Sequence, residues 1–188
     1  MHELELECFA QNERALRLYR RAGFAPVAEL HGYDRPAAEP AEPDAEARDP
    51  LAPDRCEVDR AIGLAWLAEA QATVPNVPLQ TTARGLSAHG SALRTWRSGA
   101  ALLAFEAPSV GRVTIHALFA TTPAGLDADA LVATLVARAR GRAIVAAPIH
   151  RDDLGTAALS RAGFARQRLD QLLMVASLDE EPRVRPIG

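Results

Sequence analysis

Asn12-Glu-Arg-Ala-Leu-Arg-Leu-Tyr-Arg-Arg-Ala-Gly-Phe24 reads as one short helix with both ends marked. Asn12 is an N-cap residue, because its side-chain oxygen can accept from the free amides of the first turn. Glu13 follows at the positive end of the helix dipole, and Arg20 and Arg21 lie at the negative end. Ala15, Leu18, Tyr19 and Ala22 fall on one stripe at helical spacing, with Leu16 beside it. Gly23 supplies the left-handed stop, Phe24 is placed to pack back, and Pro26 prevents continuation.

Just before the helix, residues 2–10 alternate: Leu4, Leu6 and Cys8 point one way, and Glu3, Glu5 and Glu7 the other. That is the pattern of a half-buried strand. Val27–Tyr33 is a plausible return strand, so the unit is strand, helix, strand. Residues 34–55 hold five prolines, many acids and one large apolar residue, Leu51. Such a stretch buries too little to fold and reads as an extended acidic linker. Beyond it the pattern gives a helix over Val58–Ala72, loop over Val74–Leu86, and strands over Leu93–Trp96, Ala100–Glu106 and Arg112–Thr121. A strong helix over Asp127–Arg140, an apolar strand over Ala143–Ile149, a helix over Leu154–Ala162 and a strand over Gln167–Leu178 complete the series. The units expected are 1–33, the linker 34–55, a second domain over 56–178, and a tail over 179–188.

Composition limits the rest. The chain has 188 residues, 48% of them hydrophobic, enough for one ordinary core or one core plus an appendage. The formal net charge is -3, and all 21 basic residues are arginine, so bulk charge gives no reason to expect a nucleic-acid partner. Cys8 and Cys56 form no CxxC and lie near no histidine cluster, so two reduced thiols are expected and no metal site. No apolar run is long enough to span a bilayer, and Met-His-Glu-Leu-Glu is not a signal peptide, so no membrane partner and a cytoplasmic location are expected.

The chain also repeats. Ala22-Gly23-Phe24 falls on Ala162-Gly163-Phe164 at an offset of 140 residues, and the same offset places Asn12 on Asp152 and Tyr19 on Leu159. Repetition at domain length points to two copies of one domain. The first would be present as its C-terminal quarter.

Asn12-x-x-Ala15-x-x-Leu18-Tyr19-x-x-x-Gly23-Phe24 resembles the fifth-strand and fourth-helix motif of the GCN5-related N-acetyltransferases, the GNAT superfamily. The match covers about residues 3–33. Residues 56–178 resemble the same fold more faintly. Their close, Gly163-Phe164 followed by Gln171-Leu-Leu-Met174, is similar to degenerate C-terminal domains of tandem GNAT proteins. The resemblance implies an α/β fold with a mixed central sheet flanked by helices, as in acyl-CoA N-acyltransferases. It implies transfer of acetyl from acetyl-CoA to a primary amine of a small molecule or protein. Asn12 would contact the pantetheine arm and Tyr19 would be the general acid that protonates the departing thiolate. The family's phosphate loop, (Gln/Arg)-x-x-Gly-x-(Gly/Ala), has no counterpart here. Thr121-Thr-Pro-Ala-Gly125-Leu-Asp127 stands in its place in the second copy, with Asp127 and Asp129 at the helix start.

The alternative is a non-catalytic module of this fold that dimerises, as a homodimer, or binds a partner. Tyr19 as a core tyrosine and Asn12 as a plain cap remain open beside the catalytic reading. His116 reads as a strand residue and His89 as a loop residue. His150, Asp152 and Asp153 read as a polar loop, Arg138, Arg140 and Arg142 as a solvated face, and Trp66 and Trp96 as anchors.

Overall fold

A computed structural model describes residues 3–38, 56–122 and 125–178. Most of the stretch read as linker, and all of the tail, lie outside the described residues. The chain runs β1 (Glu3–Phe9), α1 (Glu13–Arg21), β2 (Ala25–Arg35), β3 (Glu57–Val58), α2 (Arg60–Gln71), α3 (Ala83–Ser87), β4 (Arg94–Ser98), β5 (Ala101–Glu106), β6 (Val113–Ala120), α4 (Leu126–Ala139), β7 (Ile144–His150), α5 (Ala157–Arg161), β8 (Ala165–Arg166) and β9 (Gln171–Ser177). It is a mixed α/β architecture, a central sheet flanked by helices, as the resemblance implies. The strand order is β1-β9-β2-β7-β6-β5-β4-β3, with β8 pairing β2. The described neighbours are antiparallel except β6 and β7, which are parallel and joined through α4.

The elements follow from the sequence with local corrections. Asn12 Oδ1 accepts from the Ala15 amide at 3.1 Å, and Asp59 caps α2 through the amides of Ala61 and Ile62. The buried residue of α1 is Leu16, whereas Leu18 is 55% exposed. The expected stripe is therefore turned: α1 lies over β1 and β9 at the edge of the sheet, and only its Ala15–Leu16–Tyr19 side is covered. β2 runs two residues into the stretch read as linker. The 74–86 loop holds a 3-10 turn at Leu79–Thr81 and the start of α3, which is capped by Thr82. The single helix expected over Leu154–Ala162 is broken. A 3-10 turn over Asp152–Leu154 ends at Gly155, whose φ of +113° leaves the helical region, and α5 begins two residues later.

Two layers of helix enclose the sheet. α4 and α5 cover one face over Leu103, Phe105, Ile115 and Ile144, with Trp96 and Tyr33 in the same core. α2 and α3 cover the other over Leu102, Ala104, Ala117 and Phe119. The apolar run of β5 is fully buried because alternate residues feed both cores. Cys8 and Cys56 are free thiols, as expected.

The N-terminal strands are woven into this sheet. β9 lies between β1 and β2, and β2 lies between β9 and β7. The pairings repeat with the sequence. Leu4 faces Ala176; shifted by 140, these become Ile144 and Pro36, and Ile144 faces Arg35. Ala25 faces Val175; shifted, these become Ala165 and Arg35, and Ala165 faces Asp34. Each prediction misses by one residue in the same sense. The two β-α-β units thus exchange their return strands reciprocally: β9 fills the place between β1 and β2, and β2 the place between β9 and β7.

Candidate functional site

Four places concentrate polar chemistry, and the two residues singled out by the sequence sit at the first. α1 holds Asn12 exposed at its N-terminus, with the side chain engaged as the cap. Tyr19 is half-buried, with its ring edge-on to Phe24 at 6.0 Å between centroids. Its apolar neighbours are Cys8, Leu16 and Met174, with Leu6 and Leu172 at the margin. Asn12 and Tyr19 lie on the same helix but about two turns apart, roughly 10 Å along its axis at 1.5 Å per residue. A ligand touching both would have to lie along the helix.

The second place is the gap at the C-terminal ends of the parallel pair. β6 and β7 pair only at Val113–Ile115 with Ile144–Ala146, although β6 continues to Ala120 and β7 to His150. The ends of parallel strands at such an opening are the general ligand position of α/β sheets. Here the gap is plugged. Ala117, Leu118, Phe119 and His150 line it, and Pro78, Thr81 and Leu154 close it, leaving about 10 Å³. That is room for about one water. His150 is fully buried, and burial pushes its imidazole down to about 4, so it is neutral at physiological pH. Its Nε2 has no hydrogen-bond partner.

Beside the gap, the N-terminus of α4 is already neutralised from within. The Asp127 carboxylate accepts from the Ala100 amide at 2.9 Å and from the Ser98 hydroxyl at 3.3 Å. Asp129 pairs with Arg161 at 2.9 Å. Two carboxylates in the first turn of α4 thus oppose the binding of an anion at that end of the helix.

A partly buried polar network, absent from the sequence reading, joins the N-terminal strands to the rest. The Tyr33 hydroxyl donates to Asp152, which also accepts from Thr156 at 3.4 Å. His31 Nδ1 lies 3.0 Å from Asp170, and its Nε2 lies 3.8 Å from Asp152. Burial, then the bond to Asp152 and that residue's charge, push the Tyr33 phenol up to about 12. It therefore stays protonated, and its place in the core makes it a clamp between the two units. At the offset of 140 residues Asp152 falls on Asn12, but its partner Tyr33 comes from the N-terminal β-α-β unit.

The other expectations resolve individually. Trp96 is fully buried, while Trp66 is half-buried under the Arg97 guanidinium, 4.4 Å from the ring centre. Arg142 ties down the β5–β6 turn through the carbonyls of Pro108 and Gly111. His89 and His116, separate in the sequence reading, come together with Glu106; no periodic signal marks this, because His89 lies in a loop and His116 in a bulge. Among the described residues no helix is long and apolar enough to cross a membrane.

No protein-family model and no curated protein matches the chain. Solved structures do. A GCN5-related N-acetyltransferase from Sphaerobacter thermophilus is 17% identical, with a TM-score of 0.49 over 92% of this chain and 59% of that one. A GCN5-related N-acetyltransferase from Kribbella flavida is 10% identical, with a TM-score of 0.46 over 91% of this chain and 42% of that one. The chain thus spans less than two thirds of either protein's length, and what those proteins do as wholes bears on it only as a proposal.

Proposed function

We propose that this chain is part of a GNAT-type N-acetyltransferase, in which residues 3–35 supply the chemistry and residues 56–178 are a second copy kept as scaffold. Acetyl-CoA is the donor and a primary amine the acceptor. The observation that carries the reading is the contrast at the repeated helix. Tyr19 keeps part of its surface open on a helix that begins at an exposed Asn12, whereas its counterpart Leu159 is fully buried. The plugged gap and the self-neutralised α4 terminus also support assigning no cofactor site to the second copy.

In this reading the amine nitrogen attacks the thioester carbonyl and a tetrahedral intermediate forms. Its collapse breaks the carbon–sulfur bond, giving the amide and a thiolate. The Tyr19 phenol donates its proton to that sulfur, and the proton lost by the amine returns through solvent to the phenolate. Asn12 contributes by hydrogen-bonding the pantetheine amides, which fixes the thioester along α1. A phenol in this role contributes about 10²–10⁴-fold to turnover.

Calorimetry of the full chain with acetyl-CoA tests the reading. Micromolar binding, weakened by about tenfold or more in Asn12→Ala, is expected from loss of a hydrogen bond to a positioned ligand. With an amine panel and thiol detection, Tyr19→Phe should lower turnover by about 10²–10⁴-fold and leave binding intact. Absence of binding at millimolar acetyl-CoA overturns the enzymatic reading for this chain. The same plugged gap favours a second reading, a non-catalytic module that dimerises or binds a partner. A stable homodimer that ignores acetyl-CoA would be its signature.

A further inference from the structure

The sequence gives no reason to expect a metal, yet the fold gathers two imidazoles and a carboxylate from three separate places. His89 follows α3. Glu106 is the last residue of β5. His116 occupies the β-bulge of β6, where Ala104 faces Ala117 but Phe105 faces Ile115. A bulge re-aims the side chain it carries, and here it sets His116 against His89, with ring centroids 4.0 Å apart. His89 Nδ1 lies 2.9 Å from Glu106 Oε1, and His116 Nε2 lies 3.6 Å from the same oxygen. The three donor atoms all fall within 4.8 Å of one another.

A plain hydrogen-bond cluster accounts for only part of this. His89 can donate to Glu106. His116 Nε2 is shut away from solvent and has no hydrogen-bond partner, a situation that costs about 1–3 kcal/mol when nothing relieves it. Two imidazoles this close also repel if both are charged. The unpartnered His116 nitrogen lies in the same small cluster as His89 Nδ1 and Glu106 Oε1. A small cation answers each point together, since it accepts both lone pairs and balances the carboxylate.

We infer that His89, Glu106 and His116 form a binding site for one divalent transition-metal ion of the zinc class. Zinc takes imidazole nitrogen and carboxylate oxygen at about 2.0–2.2 Å, which sets tetrahedral ligand atoms roughly 3.3 Å apart. The spacings in the cluster bracket that value, so closure needs only side-chain rotation. Three protein ligands leave a fourth position, and the partial exposure of His89 and Glu106 opens it to water or a small ligand. The site lies on the β5–β6 hairpin and pins the 87–93 segment to it. It shares no residue with the proposed Asn12–Tyr19 site, so either can fail alone.

The test uses the full chain without a histidine tag, stripped with EDTA and titrated with zinc chloride by calorimetry. One ion per chain with a micromolar or lower Kd is expected, together with a rise in Tm on binding. His89→Ala and His116→Ala should each weaken binding by about 100-fold or more, and Glu106→Gln by about tenfold or more. His2→Gln and Cys56→Ser should leave it unchanged. His89 lies on a surface turn, so His89→Ala tests the site without disturbing the core, and far-ultraviolet circular dichroism verifies its fold. Cobalt(II) in place of zinc should give the intense visible bands of a tetrahedral centre, lost in His116→Ala. Binding no tighter than millimolar, or tight binding that survives His89→Ala and His116→Ala, overturns the site.

Discussion

The C-terminal turn of α1 and the C-terminal turn of α5 have the same backbone. Ala22 and Ala162 sit at φ, ψ of -82°, 7° and -83°, 8°, and Gly23 and Gly163 follow at φ of +90° and +82°. In both, the phenylalanine amide reaches back five residues, Phe24 to Tyr19 and Phe164 to Leu159, at 3.0 and 3.1 Å. Gly23 and Gly163 bond Arg20 and Ser160 at 3.1 and 3.0 Å. This is a Schellman closure written twice. The surroundings differ completely. Leu159 and Phe164 are sealed beneath α4 in the main core, while Tyr19 and Phe24 border a small cluster at the sheet edge. Local sequence sets the turn; position in the sheet decides whether the helix is core or surface. Where the helix is core, the position carries an aliphatic residue, which buries no hydroxyl.

Reversing the side chains is the hardest blow to that comparison. Leu159→Ala removes a fully buried side chain and should destabilise the fold by about 2–5 kcal/mol. Tyr19→Leu, at the partly open counterpart, should stay within about 1.5 kcal/mol. Urea unfolding of the two variants measures both. Equal losses would mean that the two helices are equally embedded and that Tyr19 is an ordinary core residue.

The sequence carried the turn and the fold class because both rest on local or periodic signals. Asn12, Gly23 and Phe24 act within a few residues of themselves, and the apolar run over 143–149 is visible without partners. It did not carry the strand exchange. Nothing in residues 25–35 says that β2 lies between β9 and β7 rather than beside β1, because pairing partners more than 100 residues away leave no periodic mark. The candidate sites divide the same way. Asn12 and Tyr19 were legible as a spacing on one helix. The Tyr33–Asp152–His31–Asp170 network and the His89–Glu106–His116 cluster were not, since each is assembled by sheet register. The orientation of α1 was misjudged for a related reason. The stripe through Leu18 and Ala22 has helical spacing, but an edge position covers only the side that carries Leu16.

A subtler comparison lies at the other end of the two helices. Asn12 caps its own helix, whereas Asp152 accepts the Tyr33 phenol from the exchanged strand. Asp152→Asn should therefore act at high pH and Asn12→Ala should not. A phenol raised from the usual 10 to about 12 by burial and Asp152 gives stability that is full below pH 10 and is lost as pH rises toward 12. Ser160 and Arg166 oppose the shift, so removing the Asp152 charge should bring the phenol down, so that tyrosinate forms at lower pH and less stability is lost between pH 10 and pH 12. Following tyrosinate absorbance and circular dichroism together would show it. An unchanged alkaline transition in Asp152→Asn would remove Tyr33 as the link between the copies. Asn12→Ala should cost about 1 kcal/mol at all pH values.

The smallest expected contrast is between the two glycines, and it tests the claim that the turns themselves are equivalent. A Cβ at Gly23 or Gly163 meets no atom within 4 Å, so space does not separate them. The penalty for alanine is then the left-handed backbone alone, about 1–2 kcal/mol at each site. Gly23→Ala and Gly163→Ala should lose the same stability within about 0.5 kcal/mol, despite one lying at the edge and the other over the core. If the α5 turn is held by its packing rather than by its own bonds, Gly163→Ala will shift the Phe164 ring and cost measurably more. A clear excess in its urea midpoint would show that the repeated backbone is imposed on α5 by the core.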